Sequence, residues 1–415
     1  MLVDKRESPS EGQRGSVKLR RIPYPYSAML AICSDLDETP DKETYFEIMR
    51  YLNTTEKTRI GRGVGLEVGN TIYFDMPLSE FSYWNTDEAS REMIRTLARS
   101  GHIDCLHSYG DLAMTRADVE RALNEMAKHD CKLEVWVDHG RAPSNFGADI
   151  MQGMGDVPGS KAYHSDLTCA YGIKFTWLGR VTSVIGQGVA RKLGGVFNAR
   201  HPLAAGRTYL KEAAKGILGN WGNTKYKMHG TNDILREVRL RDGQAVFEFM
   251  RCNPHWGGVS SAEKGADICD VLTKSFLEKL IDREGFCILY THLGKIKNRE
   301  EVFNERARRA FEQLSQYAKD RQILVTTTRR LLGYCRALGK ATVSDRRMSE
   351  SSSVEIRYDG PESDLAGLTI YSGDPAGFEI KLNGSLVRNA ILNSPDQTGC
   401  PSVSSPWYPL EFPVL

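Results

Sequence analysis

The sequence predicts a parallel α/β barrel followed by a small all-β domain. From about residue 25 to 340, short apolar runs alternate with segments of helical periodicity, which is typical of βα units around a parallel sheet. A Ser-rich run over 349–353 then separates this part from short alternating strands. A chain of 415 residues exceeds one ordinary core. We therefore expect a disordered arm over 1–21, a barrel over 22–342 and an all-β domain over 343–415.

The elements of the barrel follow from periodicity and capping residues. Gly101 is a stop signal for the helix before it, and Thr115 is a candidate N-cap for the next helix. The predicted strands are 28–34, 103–107, 133–137, 172–178, 245–249, 286–291 and 323–326. The predicted helices cover 45–52, 87–100, 115–126, 299–319 and 328–338.

The last part of the chain alternates polar and apolar residues with the period of a β-strand. Strands are predicted over 354–358, 368–371 and 378–382, and Asn383-Gly384 is a typical two-residue hairpin turn. We expect this part to form a small β-sandwich-like domain.

Composition narrows the classes of partner. Fifty-five basic and 53 acidic residues leave a net charge of +2, so no strong overall field favours nucleic acid or an anionic membrane. No run approaches the roughly 18 apolar residues of a membrane span. Nine scattered cysteines without a Cys-x-x-Cys pair suggest a reducing compartment. We expect a cytoplasmic protein that acts on a carbohydrate or another small molecule, with a homo-oligomer as one option for its assembly.

Polar side chains stand at the ends of three predicted strands. Asp35 and Asp37 follow the first strand, His107 and Asp111 lie at the end of the second, and His292 follows a late strand. Since α/β folds place their chemistry at the carboxyl ends of parallel strands, these side chains are candidates for one site. Carboxylates and imidazoles are both metal ligands and acid–base groups.

These motifs resemble those of the polysaccharide deacetylase family, carbohydrate esterase family four. Asp35-Leu36-Asp37 is similar to its early pair of aspartates, and Leu289-Tyr290-Thr291-His292 to its late Leu-x-x-His motif. Gly101-His102 precedes His107-Ser108-Tyr109-Gly110-Asp111, where the family has a second histidine in place of Asp111. Arg141-Ala142-Pro143 is similar to its Arg-x-Pro motif. The resemblance implies a distorted (β/α) barrel of the polysaccharide deacetylase type.

The resemblance also implies a reaction and a role for each residue. The reaction is the removal of an N-acetyl group from an amino sugar in a glycan or glycan precursor, with one divalent metal ion. The implied metal ligands are Asp37, His107 and Asp111, the implied base is Asp35, the implied acid is His292, and Arg141 orients Asp35. Zinc is the first choice of metal, with manganese, iron, cobalt and nickel as alternatives, because Asp111 makes the site richer in oxygen.

Several residues are candidates for binding the sugar. Aromatic faces and hydrogen-bonding side chains recognise carbohydrates, and the loops after the strands contain both. The candidates are His139, His164, Asp166, His255 and Trp256.

Two other functions are compatible with the same residues. The segment Asp35-Leu36-Asp37-Glu38-Thr39 matches the Asp-x-Asp-x-Thr motif of haloacid dehalogenase-like phosphatases, in which Asp35 would be the nucleophile. That chemistry also needs a later lysine and an acidic pair and does not use His107 or His292. The departures from the deacetylase pattern also allow a catalytically inactive barrel that binds glycans.

Overall fold

The protein is a mixed α/β structure, as the sequence predicts. A computed structural model describes residues 18–36, 38–140, 142–296, 298–347, 352–372 and 378–415. Asp37 and Arg141, two of the predicted site residues, and most of the predicted arm lie outside these ranges.

The described residues of the first part of the chain form twelve strands. They are β1 (Lys18–Arg20), β2 (Ala28–Ser34), β3 (Asn70–Ile72), β4 (Ile103–His107), β5 (Val135–Val137), β6 (Phe175–Trp177), β7 (Val181–Thr182), β8 (Leu235–Arg239), β9 (Ala245–Phe249), β10 (Arg251–Cys252), β11 (Phe286–Thr291) and β12 (Ile323–Val325). All but β1 belong to one 11-stranded sheet in the order β7-β10-β11-β2-β3-β4-β5-β6-β9-β8, with β12 also paired to β2. Only the β8–β9 pair is antiparallel. This mostly parallel sheet is compatible with a distorted barrel.

Helices connect these strands. They are α1 (Lys42–Asn53), α2 (Glu88–Arg99), α3 (Arg116–Lys128), α4 (Ser165–Tyr171), α5 (Pro202–Asn220), α6 (Lys227–Thr231), α7 (Ile268–Val271), α8 (Lys274–Arg283), α9 (Glu305–Lys319) and α10 (Thr328–Lys340). Short 3₁₀ helices occur at Leu193–Val196, Thr224–Tyr226, Gly265–Asp267 and Glu362–Leu365. As predicted, Thr115 caps α3, in a capping box with Asp118.

The central strand β2 brings distant parts of the chain to one place. All seven of its residues are buried, as a strand covered on both faces requires. Its neighbour β11 pairs with it in parallel, so that Thr291 lies beside Ser34. On the other side, Ser34 pairs with Asn70 of β3, and β3 leads to β4. The carboxyl ends of β2, β4 and β11 therefore lie at the same edge of the sheet.

Among the described residues, the last part of the chain forms two four-stranded sheets together with β1. Its strands are β13 (Thr342–Arg347), β14 (Ser352–Arg357), β15 (Thr369–Tyr371), β16 (Phe378–Leu382), β17 (Ser385–Leu386), β18 (Ile391–Asn393) and β19 (Ser402–Ser404). One sheet has the order β13-β14-β16-β17 and the other β1-β15-β19-β18. Residues 18–20, which the sequence analysis assigned to the arm, thus form β1, because Leu19 can pair beside Ile370 and pack against its apolar neighbours.

The two parts of the chain contribute to a common apolar cluster. Met29 and Leu331 of the first part belong to the same buried cluster as Val354 and Ile370 of the last part. Apolar side chains of the two parts therefore pack in the same cluster. Among the described residues, no helix has both the length and the apolar character needed to cross a membrane.

The predicted strands and helices are largely present, with shifted ends. Strand 245–249 has the predicted bounds, whereas strand 172–178 shortens to β6, and helix 299–319 begins only at Glu305. The reason for the last shift is local: the Asn304 side chain accepts a hydrogen bond from the backbone of Ala307 and so caps α9.

Candidate functional site

Asp35 is the centre of a charged cluster at the carboxyl edge of the sheet. It follows β2 directly and is almost completely buried. Nη1 of Arg251, in β10, donates hydrogen bonds of 2.8 Å to both carboxylate oxygens of Asp35. The guanidinium of Arg251 is itself fully buried and lies 3.6 Å from the ring centre of Trp177 and 4.6 Å from that of Tyr290. The two aromatic faces and the carboxylate thus compensate a charge that is removed from water.

Two histidines from other strand ends approach the same carboxylate. His107 Nε2, at the end of β4, lies 3.3 Å from Asp35 Oδ1, and His292 Nε2, after β11, lies 3.9 Å from Asp35 Oδ2. The backbone fixes this arrangement, since the Asp35 amide donates a 2.9 Å hydrogen bond to the Thr291 carbonyl. The ends of β2, β4 and β11 therefore meet around the Asp35 carboxylate.

The environment determines the protonation of these groups. Burial alone would raise the pKa of Asp35, but the charge of Arg251 and the contacts with His107 and His292 hold that pKa well below its ordinary value. Burial lowers the pKa of His107 to about 4 and that of His292 to about 3. At neutral pH, Asp35 is thus a carboxylate and both imidazoles are neutral.

Several buried polar atoms of this cluster have no hydrogen-bond partner among the described residues. They are Nε and Nη2 of Arg251 and Nδ1 of His107. Buried polar groups without partners are costly and rare, so a cluster that contains three of them indicates a place where a ligand, ion or water completes the bonding.

A second layer of side chains surrounds His107. The ring of Tyr73 stacks on His107 at 4.6 Å, and its hydroxyl lies 3.0 Å from His139 Nδ1. His139 Nε2 is 3.0 Å from Asp111 Oδ1, and its ring lies 4.8 Å from that of His107. Asp111 thus contacts His139, and His139 in turn packs beside His107.

The loop after β5 is organised by the buried carboxylate of Asp138. It accepts hydrogen bonds from Trp136 Nε1 at 2.7 Å and from the backbone amides of Phe146 and Gly147 at 2.9 Å. Burial is the largest influence on the pKa of Asp138 and raises it to about 7. The same loop positions its neighbour His139, whose backbone amide donates a 2.9 Å hydrogen bond to Asn145 Oδ1.

These residues open into a cavity of about 330 Å³. Its lining is rich in charged and aromatic side chains, including those of Asp35, Glu38, Met76, Glu80, His107, Asp111, Asp138, His139, Met151, Trp177, Glu263, Tyr290, His292 and Lys295. A cavity of this size and polarity suits a small polar group such as one sugar unit.

The predicted metal ligands are only partly described. Asp37 lies outside the described residues, while His107 and Asp111 both line the cavity. Within the described ranges, no three histidine, cysteine or acidic side chains lie close enough to hold an ion. The donor types nevertheless suit a divalent cation, because a neutral imidazole and carboxylates are available and His107 Nδ1 is unpartnered.

The proposed sugar-binding residues divide into two groups. His139 lines the cavity, whereas His164 and Asp166 are absent from its described lining. His164 is fully buried, and its two ring nitrogens lie 2.8 Å from Thr168 Oγ1 and the Ser144 carbonyl, so both have partners within the protein. Asp166 instead forms a two-bond ion pair with Arg116 at 2.7 and 2.8 Å.

The other two candidates lie in the loop after β10. His255 and Trp256 are also absent from the described lining of the cavity. The Trp256 ring instead stacks on His201 with ring centres 3.8 Å apart and 4° between the planes. Trp256 thus connects this loop to the beginning of α5.

Arg251, which donates hydrogen bonds to Asp35, is not among the residues that the sequence predicted for the site. Arg141 itself lies outside the described residues. The available signal was a lone arginine between the apolar residues Met250 and Cys252, directly after a predicted strand. A charged residue in a buried run requires a partner of opposite charge, and Asp35 is that partner.

The fold and the site define a mixed α/β protein with a buried carboxylate held by an arginine and flanked by two histidines. Searches of protein-family models, of curated proteins and of solved structures found no match for this chain.

Proposed function

We propose that this protein is a metal-dependent N-deacetylase of an amino sugar in a glycan or glycan precursor, built on a distorted barrel of the polysaccharide deacetylase type with a small β-sandwich-like domain. The observation that carries this proposal is the convergence of Asp35, His107 and His292 around one polar cavity. A carboxylate and two imidazoles are the groups that hydrolysis of an acetamide needs for proton transfer and metal binding.

In the proposed reaction Asp35 is the general base. Arg251 fixes the orientation of its carboxylate and also makes it a weak base, because the neighbouring charge lowers the pKa of Asp35. A bound divalent ion would compensate for the weakness of this base, since it lowers the pKa of the attacking water and polarises the acetyl oxygen. Asp37, His107 and Asp111 would hold that ion, with His139 beside Asp111.

His292 is the proposed proton donor to the leaving amine. It is neutral at neutral pH, so it must first receive a proton. The proton that Asp35 takes from water is available 3.9 Å away, and a small movement of either side chain allows its transfer. The C–N bond then breaks, the amine nitrogen takes this proton, and acetate is the second product.

Metal analysis and acetate release from a panel of N-acetylated amino sugars test the proposal. The unaltered protein should bind a stoichiometric divalent ion and release acetate. His292→Ala should keep its metal but lose about 10²–10⁴-fold in rate, the range of lost acid–base catalysis. His129→Ala, which removes a histidine near Glu125 on α3, is the matched control.

Loss of metal from His292→Ala would show that His292 is a ligand instead of the acid. Acetate release from none of the sugars by the metal-loaded protein would reject the deacetylase. A phosphorylated Asp35 trapped with an aryl phosphate would establish the phosphatase alternative instead.

A further inference from the structure

Helix α5 carries its large apolar side chains on its exposed side. Its buried positions are small or polar: Ala205, Thr208, Glu212, Gly216 and Gly219. In contrast, Leu203 is 90%, Leu210 69%, Ile217 49% and the adjoining Trp221 81% exposed. A surface helix normally buries its apolar face. The reversed pattern of α5 indicates that this face binds something outside the described part of the chain.

The exposed apolar side chains form one continuous ridge. Leu203, Leu210 and Ile217 are spaced by seven residues, or two helical turns, and Trp221 follows one turn later. At about 1.5 Å per residue the ridge is roughly 27 Å long. Phe197, which is 49% exposed, lies just before the helix in the chain.

The segment around this ridge is strongly basic, although the whole chain is nearly neutral. Residues 189–231 contain eight basic residues and one acidic residue, a net charge of +7. The basic residues are Arg191, Lys192, Arg200, Arg207, Lys211, Lys215, Lys225 and Lys227. The acidic residue, Glu212, is buried and already paired with Lys215 at 2.8 Å. The net charge of +2 for the chain therefore conceals a strongly basic segment.

Five of these basic side chains are available to a partner. They are Lys192, Arg200, Arg207, Lys211 and Lys227, all exposed. Within the described parts of the chain, none of the five forms an ion pair. Arg207 and Lys211 follow Leu203 at intervals of four residues and thus flank the apolar ridge.

We propose that the exposed face of α5 binds an anionic membrane surface. The apolar ridge, Leu203, Leu210, Ile217 and Trp221, would enter the boundary between headgroups and acyl chains. The flanking arginines and lysines would contact the negatively charged headgroups. This proposal does not depend on the deacetylase proposal, because lipid binding requires no catalysis.

Charge favours lipid over a second copy of the chain. A symmetric dimer through α5 would place Arg207 and Lys211 of one copy near those of the other, and like charges across an interface are unfavourable. The aliphatic ridge also argues against nucleic acid, which is bound by basic and aromatic side chains. An anionic lipid surface satisfies both the apolar and the basic components.

The N-terminal end of α5 contacts the loop that follows Arg251 of the candidate site. His201, at the N-terminal end of α5, stacks on Trp256, and Trp256 lies in the loop that follows Arg251 and Asn253. Asn253 anchors this loop through a 2.8 Å hydrogen bond to the Ser261 carbonyl. Membrane binding through α5 would therefore hold the site near the lipid surface.

Co-sedimentation of the full-length protein with vesicles tests the proposal. Vesicles of phosphatidylcholine alone are compared with vesicles that also contain phosphatidylglycerol, at low and at high salt. We expect binding to the anionic vesicles only, with strong weakening by salt. Trp221 provides a direct probe: its fluorescence should shift to the blue on binding, and Trp221→Phe should remove that shift.

Two double variants separate the apolar and basic components. Leu210→Gln/Ile217→Gln and Arg207→Gln/Lys211→Gln should each weaken binding by about tenfold or more, since each basic contact and each buried methylene contributes. The controls are Leu78→Gln/Leu392→Gln, two exposed leucines elsewhere, and Lys274→Gln/Lys319→Gln, two exposed lysines of α8 and α9. Both controls should bind as the unaltered protein does, and circular dichroism should show all four variants folded.

The proposal is overturned if the protein does not bind anionic vesicles or if the α5 variants bind as well as the controls. Self-association that only Leu210→Gln/Ile217→Gln abolishes, without vesicle binding, would identify a second copy as the occupant. Binding of single-stranded nucleic acid in place of vesicles, lost in Arg207→Gln/Lys211→Gln, would likewise replace the membrane proposal. Acetate release plays no part in these outcomes, so they are independent of the proposed reaction.

Discussion

Asp35 and Asp364 are both buried and paired with arginines, and their surroundings differ in an instructive way. Asp364, in the last part of the chain, accepts hydrogen bonds from Arg329 at 2.5 Å, Arg336 at 2.7 Å and the Tyr358 hydroxyl at 2.8 Å. Arg329 and Arg336 belong to α10, so this cluster ties the two parts of the chain together. Asp364 borders no cavity among those described.

Asp35 is also buried, but the hydrogen-bonding groups around it are not all satisfied. Its arginine, Arg251, keeps two nitrogens without partners among the described residues, and two neutral histidines and a cavity adjoin it. The comparison teaches that burial and charge alone do not identify a functional site. Unsatisfied donors beside a cavity distinguish Asp35 from Asp364.

The largest expected effect is that of Asp35→Asn on the proposed reaction. The amide cannot accept the proton from water, so acetate release should fall by about 10²–10⁴-fold. The matched change Asp364→Asn should leave the rate per folded molecule unchanged. Equal losses in both variants would remove the distinction between the two aspartates.

The next effect concerns stability. Asp364→Asn leaves Arg329 and Arg336 without their shared carboxylate, and breaking such a buried pair should lower the free energy of unfolding by about 3–5 kcal/mol. Urea denaturation measures this change. Asp359→Asn, at an exposed position nearby, is the control and should be close to neutral. A loss below about 1 kcal/mol for Asp364→Asn would mean that water reaches the cluster on mutation.

Tyr358→Phe is a smaller change that tests how much the tyrosine hydroxyl contributes to the hydrogen bonding of the Asp364 cluster. It removes the hydrogen bond from the Tyr358 hydroxyl to the buried carboxylate and the acceptor of a 2.8 Å bond from Arg336 Nε, and it should cost about 1.5–3 kcal/mol in denaturation experiments. Arg336 should stay in place, because it also bonds Asp364 through Nη2. A neutral result would show that the cluster is less tightly bonded than its distances indicate.

The smallest expected effect is that of Arg251→Lys. Lysine keeps the charge but cannot stack as a planar group between Trp177 and Tyr290, so the orientation of Asp35 should loosen. We expect a loss of about 10–100-fold in kcat, as is typical for residues that orient a catalytic group. Arg336→Lys should not change kcat at all, and a matching decrease there would indicate a general structural effect.

The sequence by itself determined the scaffold and three members of the site. Apolar runs predict β2, β4 and β11, and the polar residues directly after them, Asp35, His107 and His292, must meet because parallel strands end at one edge of the sheet. The cap of α3 is similarly local, since Thr115 and Asp118 lie three residues apart and satisfy its free amides.

Only the tertiary structure decided which arginine holds Asp35 and what each loop residue contacts. Arg251 reaches Asp35 across 216 residues of sequence, and a pattern of neighbours contains no information on such a pairing. His164 illustrates the same limit, because its burial under Trp136 and Phe146 follows from packing and not from its position after a glycine-rich segment. The exposed ridge of α5 is the third case. Only the packing of Ala205, Gly216 and Gly219 against the protein shows that its large apolar side chains point outward.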